Sequence, residues 1–166
     1  MGLFDFIFKK PEQDRETSGY FKTLTAYHPA FSTWGGELYE SALVRSAIDA
    51  RARHISKLSV EIQGSAHPTL QTKLRLKPNN WQTWQQFLYR TSVILDMHNT
   101  CVIVPVYDSL MNPVGYYPVL PTKCEIVQSD GIPFLRFAFA KGMKASTYLS
   151  EGAILTKFQY KSDLFG

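Results

Sequence analysis

The chain has 166 residues, of which 45% are hydrophobic and 14% aromatic, and its net charge is +4. This composition is sufficient for one domain with a hydrophobic core, and the mild positive charge permits contact with phosphate without requiring it. Two cysteines are too few for a disulfide scaffold, no apolar run is long enough to cross a bilayer, and we expect an intracellular, reducing setting.

Residues 1–36 are predicted to form an N-terminal arm. Five large apolar residues near its start, which will not remain in water, are Leu3, Phe4, Phe6, Ile7 and Phe8. They either grip a neighbouring subunit or partner, or fold back as a flap on their own domain, and the residues alone leave both interpretations open. Residues 11–36 are polar and rich in turn formers, which favours an extended or flexible lead-in.

Residues 37–166 are predicted to form a single α+β domain, with two or three helices packed on mainly antiparallel strands. Apolar residues at helical spacing predict a first helix from Glu37 to about Lys57. Its charged side is interpreted as a solvated face, and it carries Arg45, Asp49, Arg51 and Arg53. Alternation predicts a short strand over 59–63, and residues 68–76 are predicted to form a short helix with Leu70 and Leu74 facing inward.

A turn, a capped helix and a buried strand are predicted to follow from Pro78 to Asp108. Pro78 and Asn79 are turn formers, and Thr83 with Gln86 three residues later is typical of a capping box. The next helix has an apolar face made by Phe87, Leu88, Thr91, Ile94 and Leu95. Asn99 ends that pattern, and the β-branched run 102–106 predicts a buried strand.

The second half of the domain is predicted to be mainly strands. A hairpin loop over 109–115 leads to a returning strand over 116–121, whose prolines indicate a sheet edge. A strand at 124–127 is joined to 134–139 by the hairpin turn Asp130-Gly131, and Leu135, Phe137 and Phe139 are predicted to share one face. Residues 154–160 are predicted to form the last strand.

The order of these features resembles the portal proteins of tailed bacteriophages, in particular the large family found in long-tailed phages. The residues that carry the resemblance are Pro78, Asn79, Thr83, Phe87, Asn99 and Asp108. Many portal proteins also begin with a similar Met-Gly-Leu-Phe. The family usually has Gly-Asn between helix and strand, where this chain has His98-Asn99.

The resemblance covers the whole chain and corresponds to the N-terminal wing region of a portal protein. Family members are more than twice as long and continue into the stem, clip and crown. The resemblance implies a structural protein of a dodecameric ring at one capsid vertex, which receives the packaging motor and passes DNA. It also implies portal subunits as partners, with capsid or packaging-motor proteins as further ones, in the virion or the bacterial cytoplasm.

Two other functions are compatible with the sequence. One is a free-standing truncated portal homologue, encoded by a prophage or satellite, which binds portal or capsid subunits and interferes with assembly. The other is a basic nucleic-acid-binding module. Its candidate DNA contacts, which we expect to be weak, are Lys141, Lys144, Lys157 and Lys161.

No motif predicts an enzyme, a cofactor or a metal site. His98 and Cys101 are close enough to suggest a base and a nucleophile, but Cys101 lies inside the apolar strand, where a thiol behaves as a small hydrophobe. Asp96, His98 and Asp108 do not have a spacing characteristic of metal ligands.

Overall fold

The computed structural model describes residues 22–23, 41–61, 63–64, 68–120, 123–139, 142–159 and 165. The helices in these ranges are α1 (Ala42–Ile55), α2 (Pro68–Leu76) and α3 (Trp84–His98). The strands are β1 (Lys22–Thr23), β2 (Thr100–Tyr107), β3 (Pro113–Val119), β4 (Lys123–Ser129), β5 (Ile132–Ala138), β6 (Lys144–Tyr148) and β7 (Ala153–Thr156). None of the helices found in this part of the chain is long and apolar enough to span a membrane.

Two antiparallel sheets and a helical layer make up the α+β fold that the sequence predicts. The four-stranded sheet has the order β1-β4-β5-β6, and the three-stranded sheet has the order β3-β2-β7. The hydrophobic core lies between the two sheets, with Val102 and Val104 of β2 meeting Ile126, Leu135 and Phe137 of the other sheet. Helix α3 lies against β2 and β3, and α1 packs on α3.

Helix α3 begins and ends at residues suited to those positions. The Thr83 hydroxyl accepts a hydrogen bond from the Gln86 amide at 3.3 Å, and the Gln86 side chain accepts one from the Thr83 amide at 2.9 Å. This reciprocal pair is the predicted capping box. At the other end Asn99 adopts the left-handed conformation with φ 57°, which asparagine tolerates better than most residues.

Polar contacts hold α1 against α3. The Tyr89 hydroxyl donates to the Asp49 carboxylate at 2.7 Å, and Arg53 pairs with the same carboxylate at 2.8 Å. Arg51 pairs with Asp96 of α3 at 2.9 Å. Arg45, Arg51 and Arg53 are exposed, as expected for a solvated face, but Asp49 and Arg51 on this side also bind residues of α3.

Most predicted elements of the described chain are present, with differences at their ends. Helix α2 has the predicted bounds, and β3 lies at a sheet edge as its prolines indicate. The prediction of a strand over 59–63 is wrong for residues 59–61. These residues pair with no strand in the described ranges, and Val60 is exposed. The last strand ends at Thr156, because Phe158 has a φ of 50° and turns the chain. Strand β6 and the two-residue β1 were not predicted.

Candidate functional site

The Pro78–Gln82 turn lies against the outer edge of β3. The Asn79 side chain is almost fully buried, and its carbonyl oxygen accepts from the amides of Trp81 and Gln82 at 2.9 Å each. Its amide nitrogen donates to the Gln82 side chain at 2.9 Å and to the Tyr116 carbonyl at 2.7 Å. All the hydrogen-bonding groups of this amide are therefore engaged in fixing the turn to the strand.

Backbone groups complete this contact. The Tyr116 amide donates to the Pro78 carbonyl at 2.7 Å, and the Arg90 guanidinium donates to the Pro118 carbonyl at 3.3 Å. A Cβ atom on Gly115 would overlap the Pro78 carbonyl oxygen, so the close approach of the turn requires glycine there. Proline at 118 has no amide hydrogen to leave unpaired. The β3 edge, meaning the outward backbone groups of Tyr116 and Pro118, is thus covered by the chain itself.

The aromatic and cationic side chains around this turn add packing. Trp81 meets Tyr117 edge to face at 6.3 Å between ring centroids, and the Arg90 guanidinium lies 5.5 Å from the centre of the Tyr117 ring. The Trp84 indole donates to the Leu74 carbonyl at 2.8 Å and joins α2 to α3. Sequence reasoning missed Arg90 and placed Gly115 in the 109–115 hairpin loop, whereas Gly115 lies within β3. Nothing near either residue in the chain indicates its distant partner.

The residues that carry the family resemblance lie around the three-stranded sheet. Pro78 and Asn79 cover its β3 edge, Thr83 caps α3, and the buried Phe87 packs edge to face on Trp84 at 5.4 Å between centroids. Asn99 begins the connection to β2, and its carbonyl accepts the Lys157 amide at 2.8 Å.

Asp108 shapes the β2–β3 hairpin at the other end of β2. Its carboxylate accepts hydrogen bonds from the backbone amides of Leu110 and Asn112 at 2.9 Å each. The pKa of Asp108 is lowered, chiefly by the bond from the Asn112 amide. Eight strand residues separate it from the end of α3, so Asp108 is not brought together with Asp96 or His98. In the described ranges no group of three acidic, histidine or cysteine side chains could hold a metal ion.

Both cysteines are buried in the described structure and are free thiols. Burial raises the pKa of Cys101 to about 12 and that of Cys124 to about 12. A thiol with such a pKa remains protonated near neutral pH and is a poor nucleophile. The interpretation of Cys101 as a small core hydrophobe agrees with this environment.

The predicted DNA-contact lysines do not form one surface. Lys157 pairs with the buried Asp96, which also binds Arg51, so its ammonium group is already engaged. Lys144 lies on β6 in the four-stranded sheet and is exposed. Beside it, Lys123 and Arg136 both pair with the buried Glu125 around a recess of about 180 Å³. Lys141 and Lys161 lie outside the described residues, as do the apolar arm residues Leu3, Phe4, Phe6, Ile7 and Phe8.

Comparison with known proteins finds similarity among solved structures. No family model and no curated protein matches the chain. Among solved structures, the chain is similar to a chain of the structure described as "Neck of empty GTA particle computed with C6 symmetry". The two are 14% identical, with a TM-score of 0.64 over 91% of this chain and 43% of that chain. The likeness shows a shared fold, and this chain spans less than half the length of that one.

Proposed function

We propose that this chain is a structural protein of a phage-like particle and that it acts at the vertex where head and tail meet. The observation that carries the proposal is the fold shared over 91% of the chain with a protein of a particle neck. The particle concerned is a gene transfer agent, which is phage-like. The sequence resemblance to portal wings points to the same part of such a particle.

In finer detail, the proposal is that the chain corresponds to the wing region of a portal protein. The side chains that carry the portal resemblance stabilise the three-stranded sheet: Asn79 holds its β3 edge, and Asn99 and Asp108 shape the two ends of β2. A sheet stabilised by such contacts suits a protein that occupies a fixed position among other subunits. The proposed partners are portal subunits, either copies of this chain or a full-length homologue, with capsid and packaging-motor proteins as further partners.

Purification of particles tests the proposal. A tagged chain is produced in bacterial cells that assemble the corresponding particles, and the particles are separated by density gradient. We expect the chain to sediment with the particles, whereas an unrelated tagged protein of similar mass stays at the top. Recovery of the chain only at the top of the gradient would contradict a structural role in the particle.

The same experiment separates a particle subunit from an interfering homologue. An interfering homologue would bind the full-length portal chain and lower the yield of particles as its own expression rises. A particle subunit would be incorporated without lowering that yield.

A further inference from the structure

The outer edge of β7 exposes backbone groups at two residues. In an antiparallel pair, successive residues point their backbone groups alternately toward and away from the neighbouring strand. The Lys157 amide donates to the carbonyl of Asn99, which directly precedes β2. Strands β7 and β2 pair in the register that places Leu155 opposite Cys101. The backbone groups of Ala153 and Leu155 therefore point toward β2, and those of Ile154 and Thr156 point outward.

The two edges of the same sheet differ. At the β3 edge the outward groups bind Pro78, Asn79 and Arg90. Strand β3 also contains two prolines and a bulge at Val114, near its start. At the β7 edge no residue of the described ranges binds the outward groups of Ile154 or Thr156. Strand β7 also contains none of the charged residues, prolines or bulges with which natural proteins prevent edge strands from pairing.

Two large apolar side chains at or next to the β7 edge are exposed. Leu155 is 38% exposed, and Phe158 just beyond the strand is 82% exposed. Phe158 has a φ of 50°, a left-handed conformation that is strained for a non-glycine residue. The exposed Phe158 ring lies next to the unpaired edge of β7. A second strand that pairs with this edge would cover its apolar surface.

The pattern of β7 is complementary to itself. If two β7 strands meet antiparallel with Leu155 opposite Leu155, then Ile154 of each copy lies opposite Thr156 of the other. Both residues of each such pair point their backbone groups outward, so the two pairs exchange four hydrogen bonds. The two Leu155 side chains form the intervening pair without hydrogen bonds, where cross-strand side chains are closest. In this register no charged residue lies opposite a like charge.

We propose that β7 is a dimerisation strand, which pairs antiparallel with β7 of a second copy of this chain about a two-fold axis at Leu155. The two three-stranded sheets then join into one six-stranded sheet. The contact requires only this chain, so it does not depend on the proposed place in a particle. Because a four-residue strand makes a small interface, the dimer is expected to be weak and to depend on protein concentration.

Charge substitutions at Leu155 test the proposal. Leu155→Lys places like charges opposite each other at the axis, as does Leu155→Glu, so each variant alone should dimerise at least about tenfold more weakly than the parent. Sedimentation equilibrium from micromolar to millimolar protein measures this. An equimolar mixture of the two variants should form a heterodimer at least as readily as the parent forms its dimer. Leu110→Lys, at a residue 79% exposed in the β2–β3 hairpin, is the matched control and should leave the dimer unchanged.

Hydrogen exchange locates the contact at residue resolution. With rising concentration the amides of Ile154 and Thr156 should become protected, while those of Ala153 and Leu155 are protected throughout by β2. A parent chain that is monomeric over the whole range would overturn the proposal. So would a dimer that persists unchanged in Leu155→Lys, or one whose new protection appears on another strand.

Discussion

At the scale of single residues, Asn79 makes the largest number of specific polar contacts in the candidate site. One buried amide satisfies two turn amides, a neighbouring side chain and the Tyr116 carbonyl on a distant strand. Removing it leaves these polar groups without their partner, and each such loss carries a cost to stability.

We therefore predict that Asn79→Ala lowers the free energy of unfolding by about 1–3 kcal/mol. Asn80→Ala is the matched control, because the exposed neighbouring asparagine should change stability by less than about 0.5 kcal/mol. Urea denaturation of both variants measures the difference. Equal midpoints for the two would show that the buried amide does not fix the turn to β3.

Glu125 gives the stability a dependence on pH. Burial opposes ionisation of this carboxyl, but the hydrogen bonds and positive charges of Lys123 and Arg136 together outweigh it, and the pKa of Glu125 lies below its ordinary value. A carboxyl with a lowered folded-state pKa stabilises the fold above its unfolded pKa, and this contribution is lost as pH falls through the folded pKa.

We predict that the parent is more stable than Glu125→Gln at neutral pH and that the difference shrinks below about pH 4.3, the ordinary glutamate pKa. Thermal unfolding between neutral and acid pH measures the two curves. A difference that stays constant across this range would show that the charge of Glu125 contributes nothing to stability.

At the scale of elements, α3 connects the helical layer to the three-stranded sheet. Its buried residues Phe87, Thr91 and Ile94 belong to the predicted apolar face, whereas the buried Ser92 does not. We predict that Phe87→Ala lowers the free energy of unfolding by about 3–5 kcal/mol, because removal of a buried ring leaves a cavity. Leu43→Ala, at a residue 80% exposed on α1, is the control and should shift the denaturation midpoint little.

The elements also show what the sequence could and could not predict. Local rules identified α2, the α3 capping box and the Asp130-Gly131 turn, since each depends on residues a few positions apart. Strand β6 has no strong pattern of its own and exists because it pairs with β5. The alternation over 59–63 was misleading, since residues 59–61 pair with no strand in the ranges that the structure describes.

The candidate site was predictable only in part for the same reason. The residues that make the turn are readable from their order in the chain. The contact that covers the β3 edge also involves Gly115, Tyr116 and Arg90, which lie far from the turn residues in the sequence. The open β7 edge depends on which backbone groups face β2, and this follows from the register rather than from residue type.

At the scale of the whole molecule, the distribution of basic residues bears on DNA binding. The ammonium group of Lys157 is paired with Asp96, and Lys123 and Arg136 are paired with Glu125. We predict that the isolated chain binds duplex DNA no more tightly than about 10⁻⁴–10⁻⁶ M at physiological salt, the range of non-specific binding. Fluorescence anisotropy measures this, and nanomolar affinity that is lost when Lys141, Lys144, Lys157 and Lys161 become glutamine would favour the nucleic-acid alternative.

The central claim, that the chain is a structural protein which associates with portal subunits, is tested most directly by native mass spectrometry. The chain is measured alone and after mixing with a full-length portal protein from the same phage or genetic element. We expect a monomer or small oligomer alone, and complexes that contain both chains after mixing. The chain remaining entirely unbound in the mixture, at micromolar concentrations of both proteins, would contradict the claim.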